Sequence, residues 1–325
     1  MEIYEAKVLD NKKYVLGEGP FYDPRTKVLS WVDIEDKKVY FADYENESMY
    51  NIRFIDINER VGALVPTKNP GEYLACATLG LYLVKVNSAR KISVKESSEK
   101  ERSEKESSVE ERSVEESSEK EASEAKKFYM STTSIYEPYQ RSNDAKADAQ
   151  GRLYLGSIVF DKSYEKKGNL YIVEDKNVKI VQKDTKLANG LAWSGDKKRF
   201  FFADSVDKTV YAYDYDEKTG ELKNRKPLFK PEVGIPDGMC IDSEDNLWVA
   251  IWGGRCVEKR STVTGELLGK VNVDAEKVSC TCFAGDKFDK LIISTSGENC
   301  EGEHDGKFFI CDVNITGPAP DYFTV

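Results

Sequence analysis

The chain has 325 residues, of which 40% are hydrophobic and 33% are charged, and its net charge at pH 7 is -10. A chain of this length can bury a large core, and its acidic balance argues against nucleic acid and anionic membranes as partners. No apolar run approaches the roughly 18 residues that a membrane-spanning helix needs.

The N-terminal stretch and the cysteines indicate a cytoplasmic protein. Residues Met1–Tyr14 carry charges throughout and lack the apolar centre of a signal peptide. The seven cysteines are odd in number, include no C-x-x-C pair and mostly fall in apolar runs. Reduced, buried thiols are typical of the cytoplasm. We therefore expect a cytoplasmic location, with no obligate protein partner evident.

A unit with a small or polar start, an apolar stretch and further β-rich runs separated by turns recurs six times. The copies begin at Glu18, Gly62, Asn143, Asn189, Asp237 and near Ser279. When one foreign segment is set aside, they are spaced by about 40–50 residues, the period of propeller blades with four short strands. The sequence therefore predicts an all-β fold, a single six-bladed β-propeller spanning residues 1–325.

The N-terminal run Ile3–Leu9 precedes the first copy and has no blade of its own, whereas the sixth copy is one strand short. We predict that this run supplies the outer strand of the last blade. That pairing would close the ring and cover an open sheet edge.

The foreign segment, Ser93–Lys127, contains three copies of a ten-residue Ser/Glu/Lys repeat with no Gly, Pro or aromatic residue. Such a composition cannot bury a core. We expect this low-complexity insertion to be either disordered or a solvated helix with Glu–Lys pairs four residues apart. It falls between the third and fourth strands of blade two, Leu81–Val86 and Lys127–Thr133. Loops of that kind lie opposite the entry to the inner strands, so we expect the insertion to lie away from the active site.

Acid and amide residues stand at the start of several copies. In a propeller the innermost strand of each blade lines the central channel, and the residue at the start of that strand faces the axis. Glu18, Asn143, Asn189 and Asp237 share this phase, and three of them precede a glycine that permits a sharp turn. Taken singly, Asn-Gly and Asp-Gly are common hairpin-turn dipeptides. Converging carboxylate and amide oxygens instead suit a hard divalent cation such as Ca²⁺, Mg²⁺ or Mn²⁺. The shared phase favours the metal site.

The chain has a single histidine, His304, in a polar stretch typical of a surface loop. A zinc site with two or three histidines is therefore excluded. A Ser-His-Asp mechanism would have to use His304. We expect hydrolytic chemistry here to depend on carboxylates and a hard metal.

Five short pieces of sequence carry a family resemblance. They are GEGP from Gly17, RSNDAK from Arg141, ANGLAWS from Ala188, PDGM from Pro236 and NLWVA from Asn246. In this order they resemble the family of regucalcin, gluconolactonase and luciferin-regenerating enzyme. The resemblance implies a six-bladed propeller and one divalent metal ion (Ca²⁺, or Zn²⁺, Mn²⁺ or Mg²⁺) held by Glu18, Asn189 and Asp237.

The same resemblance implies substrate contacts from Arg141 and Asn143, and from an acidic residue that Asp161 matches by spacing. The chain departs from the family at three of the positions compared. It has Ala145 where Gly is usual, Tyr22 where Trp is usual, and the shorter Asp161 in place of Glu.

These residues predict a metal-dependent hydrolase of sugar lactones. The metal would polarise the lactone carbonyl, Asp237 would act as general base, and Arg141 and Asn143 would orient sugar hydroxyls. Two alternatives use the same site. One is a calcium-binding regulatory protein with little catalysis, and the other is a hydrolase of other esters, of the luciferin-regenerating or organophosphate type.

Overall fold

The computed structural model describes residues 1–86, 120–121, 127–132, 135–160, 165 and 167–325. Within those ranges the fold is all-β, with 26 strands and no α-helix. No helix in the described part of the chain is long and apolar enough to cross a membrane. The Val-, Phe- and Tyr-rich runs between Gly, Asp and Asn turns favour this strand-only structure.

Four sheets each contain an antiparallel meander of four strands, and the first of them has a fifth, parallel strand that is described below with the insertion. The first consists of β3 (Gly17–Asp23), β4 (Val28–Asp33), β5 (Lys38–Glu45) and β6 (Ser48–Asp56). The second consists of β7 (Val61–Pro66), β8 (Glu72–Ala77), β9 (Gly80–Lys85) and β11 (Lys127–Ser131). The third consists of β12 (Gln140–Ala147), β13 (Leu153–Val159), β14 (Gly168–Glu174) and β15 (Asn177–Thr185). The fourth consists of β16 (Ala188–Trp193), β17 (Arg199–Asp204), β18 (Thr209–Asp216) and β19 (Glu221–Phe229).

The fifth sheet has nine strands and contains the rest of the chain. Its first part is β20 (Ile235–Ile241), β21 (Asn246–Trp252), β22 (Cys256–Ser261) and β23 (Leu267–Asn272). Its second part is β24 (Lys277–Ala284), β25 (Lys290–Ser296) and β26 (Phe308–Asp312). The pairing between the two parts is the residue pair Trp252–Lys277. The fold is thus all-β and propeller-like. It has four smaller sheets and one large, nearly closed sheet, so the count of sheets does not by itself give the six blades that the sequence predicts.

The N-terminal run closes this large sheet at two places. Strand β2 (Lys7–Asp10) pairs antiparallel with β26, as expected for a strand that completes the last part of the chain. The residues before it do not join that pairing: β1 (Glu2–Glu5) instead pairs parallel with β23. The crossing occurs at Ala6, whose N–H donates to the carbonyl of Asn272 at 3.0 Å. The N-terminal segment thus covers the edges of β23 and β26, which would otherwise expose unpaired backbone groups.

The insertion departs from one defined end of the second sheet. Strands β9 and β11, which flank it, pair with each other, as predicted for the third and fourth strands. The start of β7, Val61, pairs with Ala77 at the end of β8. The last residue of β9, Lys85, pairs with Glu72 at the start of β8. Strand β9 therefore leaves the sheet at the end opposite to the start of β7. Within the insertion, Lys120–Glu121 form β10, which pairs parallel with β6. Apart from these two residues and Lys127, the predicted segment 93–127 lies outside the described residues.

The first strands of the sheets, and of the two parts of the fifth, contact one another in a closed ring: β3, β7, β12, β16, β20 and β24, back to β3. Aromatic side chains fill the space between neighbouring sheets. Trp31 stacks on Tyr40 with ring centroids 5.5 Å apart, and Phe308 of β26 packs against Trp31. The core thus lies between the sheets and leaves the ring of inner strands around a central channel.

Candidate active site

The six strands of the inner ring share one irregularity. Each loses the pairing register with its neighbour near its first residues, as at a β-bulge, and the breaks fall at Glu18/Phe21, Val61/Ala63, Ser142/Ala145, Asn189/Leu191, Pro236/Met239 and Val278/Cys280. A β-bulge bends the strand locally and re-aims its side chains. The residues predicted from the repeat phase therefore lie at the break in each of their strands.

Glycines at these breaks allow the inner strands to approach closely. A Cβ on Gly190 would lie 2.5 Å from the carbonyl oxygen of Asp237, and its φ of 28° lies in the left-handed region. A Cβ on Gly238 would lie 2.3 Å from Sγ of Cys280. The glycines after Asn189 and Asp237 thus bring each of those strands against the next one around the ring, whereas a Cβ on Gly19 would meet nothing within 4 Å.

A chain of hydrogen bonds joins three of the inner strands. Arg141 Nη1 donates to Oδ1 of Asn143 at 3.2 Å, and Asn143 Nδ2 donates to Oδ1 of Asn189 at 2.8 Å. Asn189 Nδ2 donates to Oγ of Ser205 at 2.9 Å, and that hydroxyl donates to the carbonyl of Pro236 at 2.7 Å. These bonds fix which way each amide faces. They leave Oδ1 of Asn189 turned toward Asn143 with a second lone pair free for a further partner.

Three carboxylates face one another across the ring. Burial, and then the Asp144 carboxylate, raise the pKa of Glu18 to about 8. Burial, and then the Glu18 and Asp144 carboxylates, raise the pKa of Asp237 well above its ordinary range. Burial also raises the pKa of Asp144 itself, against the attraction of the Lys146 ammonium. The site holds more negative charge than its surroundings neutralise.

Asp237 carries the clearest sign of a missing partner. Its side chain is 5% exposed, and its Oδ1 atom has no hydrogen-bond partner in the structure. Buried carboxylate oxygens are normally paired, because desolvation without a partner is costly. A divalent cation between Glu18, Asn189 and Asp237 would satisfy this oxygen and offset the repulsion. The set has two carboxylates and one amide. No group of three His, Cys, Asp or Glu side chains placed to hold a metal occurs in the described part of the chain.

Arg141 lies in the wall of the site rather than at an open surface. Its guanidinium donates to the carbonyl of Ser142 at 2.8 Å and to Asn143. Burial, and then the neighbouring Arg60, lower the pKa of Arg141 to about 10. Asp161, the third predicted substrate contact, lies outside the described residues, so its place remains a prediction.

His304 lies apart from these residues, as expected of a loop position. Its Nε2 is 3.8 Å from Oδ2 of Asp274, and Lys307 Nζ is 3.3 Å from its Nδ1. All seven cysteines are free thiols.

A cavity of about 360 Å³ lies inside the ring of inner strands, and neither Glu18 nor Asp237 lines it. Asp144 and Lys146 of β12 line it together with side chains of the other inner strands. The C-terminal segment lines its far end, where Asp321 pairs with Lys197 at 3.0 Å. Phe323 bridges to Thr67 of the second sheet. The channel is therefore flanked by the C-terminal residues at the end away from Glu18 and Asp237.

Three residues of this site were not singled out from the sequence: Asp144, Lys146 and Ser205. The first two follow Asn143 in the RSNDAK piece, so their position on an inner strand was a usable signal. Ser205 follows β17, and its role depends on Asn189 and Pro236, which lie 16 and 31 residues away along the chain. No pattern within one repeat indicates that contact.

Comparisons with known proteins match this architecture. Residues 16–297 match the family model described as the SMP-30/Gluconolactonase/LRE-like region. The chain is 30% identical to regucalcin of Danio rerio over 336 residues, covering 100% of both chains. It is also 30% identical to pentonolactonase XacC of Haloferax volcanii over 315 residues, covering 93% of this chain and 92% of that protein. Among solved structures, it is similar to a luciferin-regenerating enzyme, with a TM-score of 0.81, 26% identity, and coverage of 99% and 100%.

Proposed function

Because the chain belongs to the SMP-30/gluconolactonase/LRE-like family, we propose that it is a divalent-metal-dependent hydrolase of sugar lactones. The family includes gluconolactonases, and a relative that aligns along nearly the whole chain is a pentonolactonase. The observation that carries the proposal is the buried, unpartnered Oδ1 of Asp237 beside Glu18 and Asn189.

We propose that Glu18, Asn189 and Asp237 hold the metal ion, which is Ca²⁺, Zn²⁺, Mn²⁺ or Mg²⁺. Carboxylate and amide oxygens are ligands of hard divalent cations. When bound, such an ion supplies Lewis-acid polarisation of the lactone carbonyl. The mutual repulsion of the Glu18 and Asp237 carboxylates supports this assignment, because two negative charges match one divalent cation.

Asp237 is proposed as the general base. Water that attacks the lactone carbon has to lose a proton, and the Asp237 carboxylate would lie beside the metal ion where it could accept that proton.

Arg141, Asn143 and Asp161 are proposed as substrate contacts. Arg141 has further N–H groups on its guanidinium to donate to hydroxyls of a sugar lactone. Both N–H groups of the Asn143 amide are in use, since Nδ2 donates to Ala188 O and to Asn189, and Oδ1 accepts one hydrogen bond from Arg141. Its contribution therefore includes orienting Asn189, besides any contact with substrate.

We also propose that the fold is a six-bladed propeller in a single domain of 325 residues, interrupted by the insertion at 93–127. The closed ring of six inner strands, each with a register break near its start, supports this count. The pairing of the two parts of the nine-stranded sheet through Trp252–Lys277 supports dividing that sheet into two blades. A cytoplasmic location is proposed on the seven free thiols.

A second function uses the same ligands: calcium binding for regulation, with little catalysis. The similarity to regucalcin is the observation that favours this second function. A hydrolase of other esters is the third. The test is turnover of gluconolactone, a pentonolactone, an aryl ester and an organophosphate by the purified protein with Ca²⁺, Zn²⁺, Mn²⁺ or Mg²⁺ added. The lactones should be hydrolysed fastest. Turnover confined to the ester or the organophosphate would select the third function, and Ca²⁺ binding without any turnover would select the second.

A further inference from the structure

Lys146 makes two hydrogen bonds that join three strands of the inner ring. It lies on β12, and its Nζ donates to the carbonyl of Leu191 on β16 at 2.9 Å and to the carbonyl of Met239 on β20 at 3.0 Å. The side chain thus spans from its own strand to the next two around the channel.

The two acceptors have the same relation to the proposed metal ligands. Leu191 lies two residues after Asn189, and Met239 lies two residues after Asp237. Each is the residue at which pairing register resumes after the break in its strand. A bond to these carbonyls therefore holds the chain just below each ligand, where the bulge leaves the backbone less tightly paired.

Ladder hydrogen bonds do not supply this connection. Strands β12, β16 and β20 each pair outward, with β13, β17 and β21. The relative positions of the inner strands thus depend on side-chain contacts and packing between sheets. The Lys146 ammonium is such a contact, and it reaches both strands that carry Asn189 and Asp237.

We propose that Lys146 is a positioning residue that sets the distance between Asn189 and Asp237 and thereby the affinity of the site for its metal. This rests on the proposed function, since it takes those two residues as ligands. Groups that orient metal ligands typically change metal affinity by about 10–100-fold when they are removed.

A role through charge and a role through position predict opposite changes in metal affinity when Lys146 is replaced, so one measurement distinguishes them. Lys146 is a cation in the channel, close enough to Asp144 to favour its ionised form. A positive charge near a metal site repels the metal. If Lys146 acted only through its charge, replacing it with a neutral residue would tighten metal binding. If it positions the ligands, the same replacement weakens binding.

The experiment compares wild type, Lys146→Met and Lys197→Met by calorimetric titration of the metal-stripped full-length proteins with CaCl₂. Lys197 lines the same cavity and pairs with Asp321. Its replacement removes the same charge without touching the two carbonyls. We expect Kd for Ca²⁺ to rise about tenfold in Lys146→Met and to stay within about twofold in Lys197→Met. Thermal melts of the metal-free proteins check that both variants fold.

Equal or tighter Ca²⁺ binding by folded Lys146→Met would overturn the inference while leaving the proposed function standing. A wild-type protein that binds none of Ca²⁺, Zn²⁺, Mn²⁺ and Mg²⁺, each titrated in turn, would overturn both, and an ion that does bind replaces Ca²⁺ in the comparison if Ca²⁺ itself does not. If Lys146→Met does not fold, Lys146→Gln takes its place, because its amide keeps a donor but is shorter and uncharged. The criterion is unchanged: weaker binding supports the positioning role, and equal or tighter binding contradicts it.

Discussion

Asn143 donates its Nδ2 to Oδ1 of Asn189 at 2.8 Å, so the amide on one inner strand fixes the orientation of the amide on the next. Both side chains are buried. Replacing Asn143 with Ala should therefore remove one of the two side-chain hydrogen bonds that orient the Asn189 amide, the other being to Ser205, and should weaken Ca²⁺ binding about tenfold. Calorimetric titration measures this. Asn224→Ala, which removes an exposed amide bonded to Asp214, is the control and should bind Ca²⁺ like wild type. Unchanged binding by Asn143→Ala would show that Asn189 needs no such support.

Asp237→Asn should lower turnover while raising the thermal stability of the metal-free protein. The substitution keeps the shape of the side chain but removes a charge that is buried beside Glu18 and Asp144. Turnover should fall by about 10²–10⁴-fold, as for loss of a general base. The midpoint of thermal unfolding of the metal-free protein should rise by about 2–4 °C, which corresponds to roughly 1 kcal/mol. Steady-state kinetics and metal-free melts measure the two effects. Wild-type turnover in Asp237→Asn would refute the assigned role.

Metal binding should release protons and should strengthen as the pH rises toward 8. Burial and the Asp144 carboxylate raise the pKa of Glu18 to about 8 in the metal-free protein, so Glu18 is largely protonated below that pH. A cation binds only the ionised carboxylate and displaces the proton. The Kd for Ca²⁺ should therefore fall as the pH rises from 6 to 8. Titrations in buffers of different ionisation enthalpy count the protons. Glu18→Gln should release fewer of them, and a pH-independent Kd in wild type would contradict this description.

Gly238→Ala should disturb the inner ring directly. The added methyl group would lie 2.3 Å from Sγ and 2.6 Å from Cβ of Cys280, so β20 and β24 would have to move apart. Overpacking of this kind costs about 1–3 kcal/mol of unfolding free energy. Denaturant melts should show that loss. Gly195→Ala, whose nearest contact would be the flexible end of Asp245 at 3.2 Å, should cost clearly less. Equal losses in the two variants would argue against close strand contact at Gly238.

Removal of residues 93–126, with a short Gly-Ser bridge in their place, should leave kcat/KM for gluconolactone within about twofold of wild type. The flanking strand β9 leaves its sheet at the end opposite to the start of the inner strand β7, away from the predicted ligands. The same deletion should leave Ca²⁺ affinity unchanged. A tenfold loss of kcat/KM with normal Ca²⁺ affinity would place the insertion near bound substrate.

The sequence predicted the candidate site best where its residues occupy equivalent positions in successive copies of the repeat. Glu18, Asn189 and Asp237 could be singled out because each occupies the same position in its copy, and the family predicted from five short pieces was confirmed. Asp144 and Lys146 were adjacent to a selected residue but were not selected. Their importance comes from charges and carbonyls on strands more than 40 residues away along the chain.

The division of the N-terminal run at Ala6 was also beyond prediction. Residues on both sides of it alternate and favour strand structure, so no local pattern assigns Glu2–Glu5 to β23 and Lys7–Asp10 to β26. That assignment depends on which sheet edges are left open after the rest of the chain has folded.

The most direct test of the central claim is turnover of gluconolactone by metal-stripped protein before and after Ca²⁺, Zn²⁺, Mn²⁺ or Mg²⁺ is added back. We predict no turnover above the uncatalysed rate in the stripped protein and recovery with at least one of the four ions. Full turnover without metal, or none with any of them, would contradict the account.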